Sequence, residues 1–186
     1  QLVERVVAGA EKLKVKTVIS PECGHAYAAI RWNGPNYIGR AYSFKVIHIL
    51  ELLDELRQSG KLKTKGKDDT RLTFHDPCQI VRRGGVEAQP HQLLQSVAGN
   101  FVEMTEHGHM NWCCGGGGGV SSIERAEDLR VKVFNRKKSQ LEGLKVEKIV
   151  TACANCRLVM EEGLEENEMD IPIVGLTEVI AQQLDE

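Results

Sequence analysis

Apolar residues recur along this chain in two rhythms: short β-branched runs, and longer stretches spaced every three or four positions. Residues 1–14 follow the helical spacing. Val15-Lys16-Thr17-Val18-Ile19 reads as a buried strand, delivering Ser20-Pro21-Glu22-Cys23-Gly24-His25 to the start of a further helix. Residues 31–42, rich in Gly, Asn, Pro and Tyr, read as loop. Val46-Ile47 is a brief strand, and the helical spacing over 49–56 stops before Gly60. The polar, charged stretch 61–71 then reads as a solvated linker.

Beyond it, Arg71-Leu72-Thr73-Phe74 is a strand that delivers His75-Asp76-Pro77-Cys78. Pro90 suits the first turn of a helix running to Ala98, with Gly99 at its end. Residues 101–104 form the next strand, and Ser121 with Glu124 reads as a capping box opening a helix to about Leu141. Residues 146–151 are a strand ending at Cys153-Ala154-Asn155-Cys156; helix, strand at 171–174 and a last helix from Thr177 follow. Strands and helices alternating in this way predict an α/β fold.

The chain also echoes itself. Thr17-Val18-Ile19-Ser20-Pro21-Glu22-Cys23 parallels Val150-Thr151-Ala152-Cys153-Ala154-Asn155-Cys156, and residues 46–53 parallel 173–180. In this alignment Ser20 stands opposite Cys153 and Cys23 opposite Cys156. Two halves related by duplication are expected: 1–60 as the tail of a first unit, 61–71 as linker, and 72–186 as a complete second unit. A chain that opens on Gln1, in mid-helix, reads as a piece whose first unit is truncated.

Composition narrows the function. The 186 residues are 41% hydrophobic and 27% charged, with a formal charge of −2, which gives nucleic acid no electrostatic foothold. No apolar run approaches the roughly 18 residues of a membrane span. Six cysteines remain, at 23, 78, 113, 114, 153 and 156. They sit at strand ends and beside glycine in a chain with ample core, so a metal or redox site fits better than disulfide staples.

Five of them form the pattern Cys-x34-Cys-Cys-x38-Cys-x2-Cys, centred on Asn111-Trp112-Cys113-Cys114 and five consecutive glycines. Loops at the carboxyl ends of strands in an open α/β sheet share one edge, so Cys78, Cys113, Cys114, Cys153 and Cys156 can converge. A structural zinc takes four ligands, and adjacent cysteines chelate one ion poorly. An iron–sulfur cluster spreads its irons, so neighbouring thiolates reach different ones, and five exceed the four a cubane needs. Gly115, Gly116 and Gly117 would let bare backbone press against the group and donate N–H bonds to its sulfur.

His75-Asp76-Pro77-Cys78, Asn111-Trp112-Cys113-Cys114-Gly115-Gly116-Gly117 and Cys153-Ala154-Asn155-Cys156 resemble the cysteine-rich CCG domain. That domain occurs in a subunit of heterodisulfide reductase, in membrane redox complexes of sulfate reducers, and in iron–sulfur subunits of glycolate, lactate and glycerol-3-phosphate dehydrogenases. The resemblance is close over 70–160 and loose before it. It implies two Rossmann-like halves and a non-cubane [4Fe-4S] cluster held by the five cysteines. The activity it implies is reduction of a disulfide or trisulfide carried by a small thiol or small protein. Electrons would come from a ferredoxin-like or other iron–sulfur partner, in a cytoplasmic protein or one peripheral to a membrane complex through its partner subunits. The alternatives are an electron relay in a flavin-dependent dehydrogenase and a zinc-stabilised interaction module.

Around this centre the sequence offers further candidates. His75 could donate to cluster sulfur or supply a proton, or simply bond backbone at a strand end. His107 and His109, near the cysteine pair, could deliver protons to a leaving thiolate or lie on the surface. Cys23 is placed in the pocket by the echo or buried as a small hydrophobe. Trp112 is expected to shield the centre from water; Arg82 and Arg83 could hold an anionic substrate group or an acidic partner, or simply be exposed and solvated.

Overall fold

The structure, a computed structural model, describes residues 1–185. Helix α1 (Leu2–Lys12) precedes β1 (Thr17–Ser20), α2 (Gly24–Ala28), α3 (Gly34–Ile38), β2 (Lys45–His48) and α4 (Ile49–Gln58). Then come β3 (Asp68–His75), α5 (Cys78–Val81), α6 (Ala88–Val97), β4 (Ala98–Phe101) and α7 (Glu127–Glu142). β5 (Lys148–Thr151), α8 (Ala154–Glu166), β6 (Ile173–Gly175) and α9 (Leu176–Gln182) complete the chain. Strands β1 and β2 pair in parallel, and the others form a parallel sheet in the order β4-β3-β5-β6, so the fold is α/β.

The strands are short and apolar because helices cover them. Leu72, Phe74, Ile149 and Val150 are fully buried, the signature of parallel strands packed on both faces. Strand β3 is the pivot of the larger sheet. Its connection through α5 and α6 leads to β4 on one side, while β5 lies on the other and continues through α8 to β6. The chain therefore leaves the adjacent ends of β3 and β5 in opposite directions, which opens a crevice at a topological switch point. In register, His75 faces Thr151, whose hydroxyl donates to the His75 carbonyl at 3.1 Å.

Several element boundaries differ from the sequence reading. Residues 31–42 are largely helical turns, with a π-turn at Ala29–Asn33 running into α3. The charged stretch 61–71 is only partly linker: Asp68 to Arg71 begin β3, and Thr64 bridges Leu184 near the other end of the chain. Strand β4 takes Ala98–Phe101 rather than 101–104, so Gly99 lies within it. Ser121 does not cap a helix; its hydroxyl donates to Asn155 at 2.8 Å, and α7 starts at Glu127 after short 3-10 turns.

The two echoed stretches compare differently in the structure. His48 and Gly175 are both extended helix caps whose backbone N–H donates to the glutamate three residues on, Glu51 and Glu178 respectively. The first is out of register. Cys23 and Cys153 are both extended caps, at φ −143° and −140°, so Cys23 stands opposite Cys153, not opposite Cys156.

Two contacts fix the helices that position the site. Gly163 on α8 lies under the Phe134 ring of α7, where an added Cβ would sit 2.2 Å from Cγ. The end of β3 is tied to the segment after β4 by His91 on α6, whose ring nitrogens contact Asp76 and Glu103, each at 2.8 Å. Asp76 also accepts the Gly108 N–H at 2.8 Å. Burial alone would lower the His91 pKa, but its bonds to Asp76 and then Glu103 outweigh this and raise it to about 10.

Gly163→Ala should destabilise the fold by about 1–3 kcal/mol, read by denaturant unfolding, because a packed ring has nowhere to go. The His91 contribution should be complete below the unfolded value of 6.5 and vanish as pH rises through about 10. The stability difference between wild type and His91→Gln, on the order of 3 kcal/mol at neutral pH, should therefore disappear in strong alkali.

Candidate metal centre

The crevice between β3 and β5 gathers the cysteines. Cys78 is the first residue of α5, two positions beyond Asp76 at the end of β3. Cys153 caps α8 immediately after β5, and Cys156 lies in that helix's first turn. Sulfur at these helix starts faces unpaired N–H groups and the positive end of the helix dipole, which favours thiolate. The third contribution comes from the long connection between β4 and β5, which swings Cys113 and Cys114 over the same strand ends. All five cysteines line one pocket, closed down to a free volume of only about 10 Å³.

The sulfurs lie in contact. Cys78 and Cys113 are 3.8 Å apart and Cys114 and Cys156 are 3.1 Å apart, while all six cysteines of the chain are free thiols. They share protons. The Cys113 thiol is pushed far down by hydrogen bonds from Cys114 and Cys78, with the Gly115 N–H helping. Its donor Cys78 is pushed up in turn. Cys153 is lowered by the Cys156 thiol and by the N–H groups of Cys156, Asn155 and Gly24, while Cys156 is raised by Cys114 and Cys153. The five behave as one titrating network rather than as separate thiols.

The glycine loop divides its labour. The Gly115 N–H points at Cys113 sulfur, 3.4 Å away, from a backbone at φ +92° that favours glycine. A Cβ on Gly116 would meet Val159 at 2.6 Å and Asn155 at 2.8 Å. Asn155 instead donates to the Gly116 carbonyl at 3.0 Å, tying the loop to α8. Gly117 lines the pocket, whereas Gly118 and Gly119 make a left-handed turn in open space.

The other predicted residues divide sharply. His75 is fully buried, makes no hydrogen bond from either ring nitrogen among the described residues, and has a nitrogen within 4.8 Å of the Cys114 and Cys156 sulfurs. Burial keeps its pKa well below the usual histidine value, so the imidazole is neutral. His107 faces away, its Nδ1 bonding the Met104 carbonyl at 2.8 Å. His109 is an exposed partner of Glu87 at 2.5 Å. Cys23 does not line the pocket; the neighbouring His25 does. Trp112, expected as a shield, is 46% exposed and stacked against the Arg136 guanidinium at 5.2 Å.

Trp112, Arg136, Arg82 and Cys113 instead line a surface cleft of about 530 Å³ beside the sulfur pocket, which Arg83 does not join. The sequence reading missed Lys137, fully buried on α7, and the Asp76–His91 tie. An His-Asp pair is visible in any sequence; that His91 would reach it from α6 is not.

Five cysteines around one pocket, with His25 at its lining and His75 beside Cys114 and Cys156, are a soft donor set suited to iron–sulfur or zinc rather than to hard cations. Seating a polynuclear group requires the sulfurs to separate and give up their shared protons, as ligand thiols do when they bind metal. A bidentate carboxylate or a bound amine would argue against such a group, and among the described residues neither lines the pocket.

Residues 72–161 match the model of the CCG cysteine-rich domain. A subunit of the dihydromethanophenazine:CoB–CoM heterodisulfide reductase from Methanosarcina barkeri is 31% identical over 186 residues, covering 99% of this chain and 44% of its own length. A subunit of the fumarate reductase (CoM/CoB) of Methanothermobacter marburgensis is 32% identical over 183 residues, covering 96% and 34%. The probable iron-sulfur-binding oxidoreductase FadF of Bacillus subtilis is 27% identical over 187 residues, covering 99% and 26%. The chain thus spans less than half the length of these relatives. With its five pocket cysteines inside the matched region, the chain belongs to the family of cysteine-rich CCG domains found in heterodisulfide reductase and related oxidoreductase subunits.

Proposed function

We propose that this chain is the cluster-bearing part of an iron–sulfur oxidoreductase subunit of heterodisulfide-reductase type. The observation that carries this reading is the convergence of Cys78, Cys113, Cys114, Cys153 and Cys156 on one pocket. Five donors are one more than a cubane uses, which favours a non-cubane [4Fe-4S] cluster. Bound there, the group would supply one-electron chemistry and an iron able to capture sulfur.

The residues around the pocket supply the rest. The thiols of Cys78, Cys113, Cys114, Cys153 and Cys156 give up their protons and hold the metal. The Gly115 N–H, already aimed at Cys113 sulfur, offsets negative charge there. His75, neutral and sealed from water, holds one N–H that can only point at neighbouring buried groups, the Cys114 and Cys156 sulfurs among them. The adjoining cleft offers Arg82 and Arg136 to an anionic group on a disulfide substrate, with Cys113 at its inner edge. His109 lines the same cleft and, at its exposed position, can exchange protons with solvent.

The test is anaerobic purification of the full-length protein, followed by iron and sulfide analysis and EPR. About four irons and four sulfides per chain are expected for this site. Cys114→Ser and Cys156→Ser should each lose most of that iron, whereas Cys23→Ser should keep it. A colourless protein holding one zinc per chain would support an interaction module instead. A disulfide that leaves the EPR signal untouched, in a protein that still exchanges electrons, would favour an electron relay.

A further inference from the structure

Helix α7 carries one cation that composition would place in water and the fold does not. Its buried stripe runs Arg130, Phe134, Lys137 and Leu141, at helical spacing. Arg130 reaches the edge of that stripe and pairs with Glu162 at 2.6 Å. Lys137 is only 1% exposed, and its ammonium contacts the Met104 thioether sulfur at 3.5 Å. A thioether is a weak acceptor, and among the described residues Lys137 forms no ion pair with a carboxylate. The neighbouring Arg136 and Lys132 are exposed, so nothing about the helix forces a cation inward.

A buried, unpaired ammonium costs several kcal/mol, and an apolar residue would fill the position without that cost. Its helix runs beside the cysteine loop, where a Cβ on Gly115 would lie 2.9 Å from Val133, one turn before Lys137, and the acidic groups near enough to act on the ammonium are Asp76, Cys114, Glu106 and Cys156. Asp76 is already satisfied by His91 and the Gly108 N–H, and Glu106 by Arg136 and Gln140. The two cysteines are left, both thiols that must become thiolates to hold metal. Burial pulls the lysine pKa down to about 8, with Asp76 and Cys114 resisting the fall, so at neutral pH it is still mostly charged.

We propose that Lys137 is the built-in counter-ion of the cysteine centre, placed behind Cys114 and Cys156 to raise the reduction potential of the metal group they hold. This rests on the iron–sulfur reading above. A fixed positive charge in a dry site favours the state carrying one more electron, and the strength of that bias depends on distance and local dielectric. Lys137 is then a positioning charge; it touches neither substrate nor metal. It lines neither the sulfur pocket nor the Arg82 cleft, so it leaves the substrate's approach free.

The experiment is an EPR-monitored redox titration of the full-length protein purified anaerobically, comparing wild type with Lys137→Met, Lys137→Gln and Lys137→Arg. Both neutral variants should titrate at a lower potential. At the wild-type midpoint, their ratio of reduced to oxidised centre should fall on the order of tenfold. Lys137→Arg should remain near wild type. If the neutral variants keep their iron and titrate at the wild-type potential, the inference is wrong and Lys137 serves only the balance around Asp76. Iron lost from both neutral variants but kept by Lys137→Arg would still show the need for charge. Loss from all three would show a need for lysine's shape, and would overturn it. A wild type without iron would instead overturn the iron–sulfur reading.

Discussion

The site depends on two strands lying side by side that are far apart in the chain. Pairing β3 with β5 in register, His75 opposite Thr151, sets the loops that follow them next to one another. The sheet order β4-β3-β5-β6 then sends those loops in opposite directions. Where neighbouring connections diverge, no helix crosses the strand ends, and a crevice is left that side chains from both loops must fill. Here they are sulfurs. Cys78 hangs from β3 and the Cys153/Cys156 pair from β5, so the ladder registers two of the three cysteine segments. Only Cys113 and Cys114 need a separate mooring, and the Asp76–Gly108 and Asn155–Gly116 bonds supply it from those two strand ends.

Charge is arranged around this crevice in layers. Asp76 and Glu103 clasp a protonated His91, so a carboxylate two residues from Cys78 is neutralised away from the sulfurs. Had Asp76 faced the pocket unpaired, it would have opposed the thiolates that metal binding requires. Its pairing with His91, the Gly115 N–H, the start of α8 and Lys137 all act in one direction: they lower the cost of gathering negative sulfur in a dry place. His75 contributes differently, because burial keeps it uncharged. It can orient a hydrogen bond but adds no charge.

Much of this was legible in the sequence, and the reasons for the gaps are physical. Apolar runs such as Leu72 to Phe74 announce buried strands whatever surrounds them, and the cysteine spacing announces a shared site because few other constraints generate it. Turn chemistry misled where tertiary contacts overrode it. Ser121 and Glu124 have the right spacing for a capping box, but Asn155 takes the serine hydroxyl and the helix starts later. Residues 31–42 have loop-like composition and yet coil into helical turns, closed by Gly39 at φ +71°. Trp112 looked like a water shield because it adjoins the cysteines; its ring turns outward because Arg136 offers a face to stack on. Lys137 could not have been found, since nothing in its local sequence distinguishes it from the exposed cations beside it.

The first sixty residues have a role that does not require a metal of their own. They add no cysteine to the pocket, since Cys23 lies outside it. What they do contribute is support. The Glu22 carbonyl accepts the Ala154 N–H at 3.0 Å, at the start of the helix that carries Cys156. Its carboxylate accepts the Thr177 N–H at 3.1 Å and the Thr177 hydroxyl at 3.0 Å, at the start of α9. Gly24 packs where any Cβ would strike Gln79, one residue beyond Cys78, and its N–H adds to the bonds on Cys153. The loop after β1 therefore braces both the Cys78 helix and the Cys153 helix.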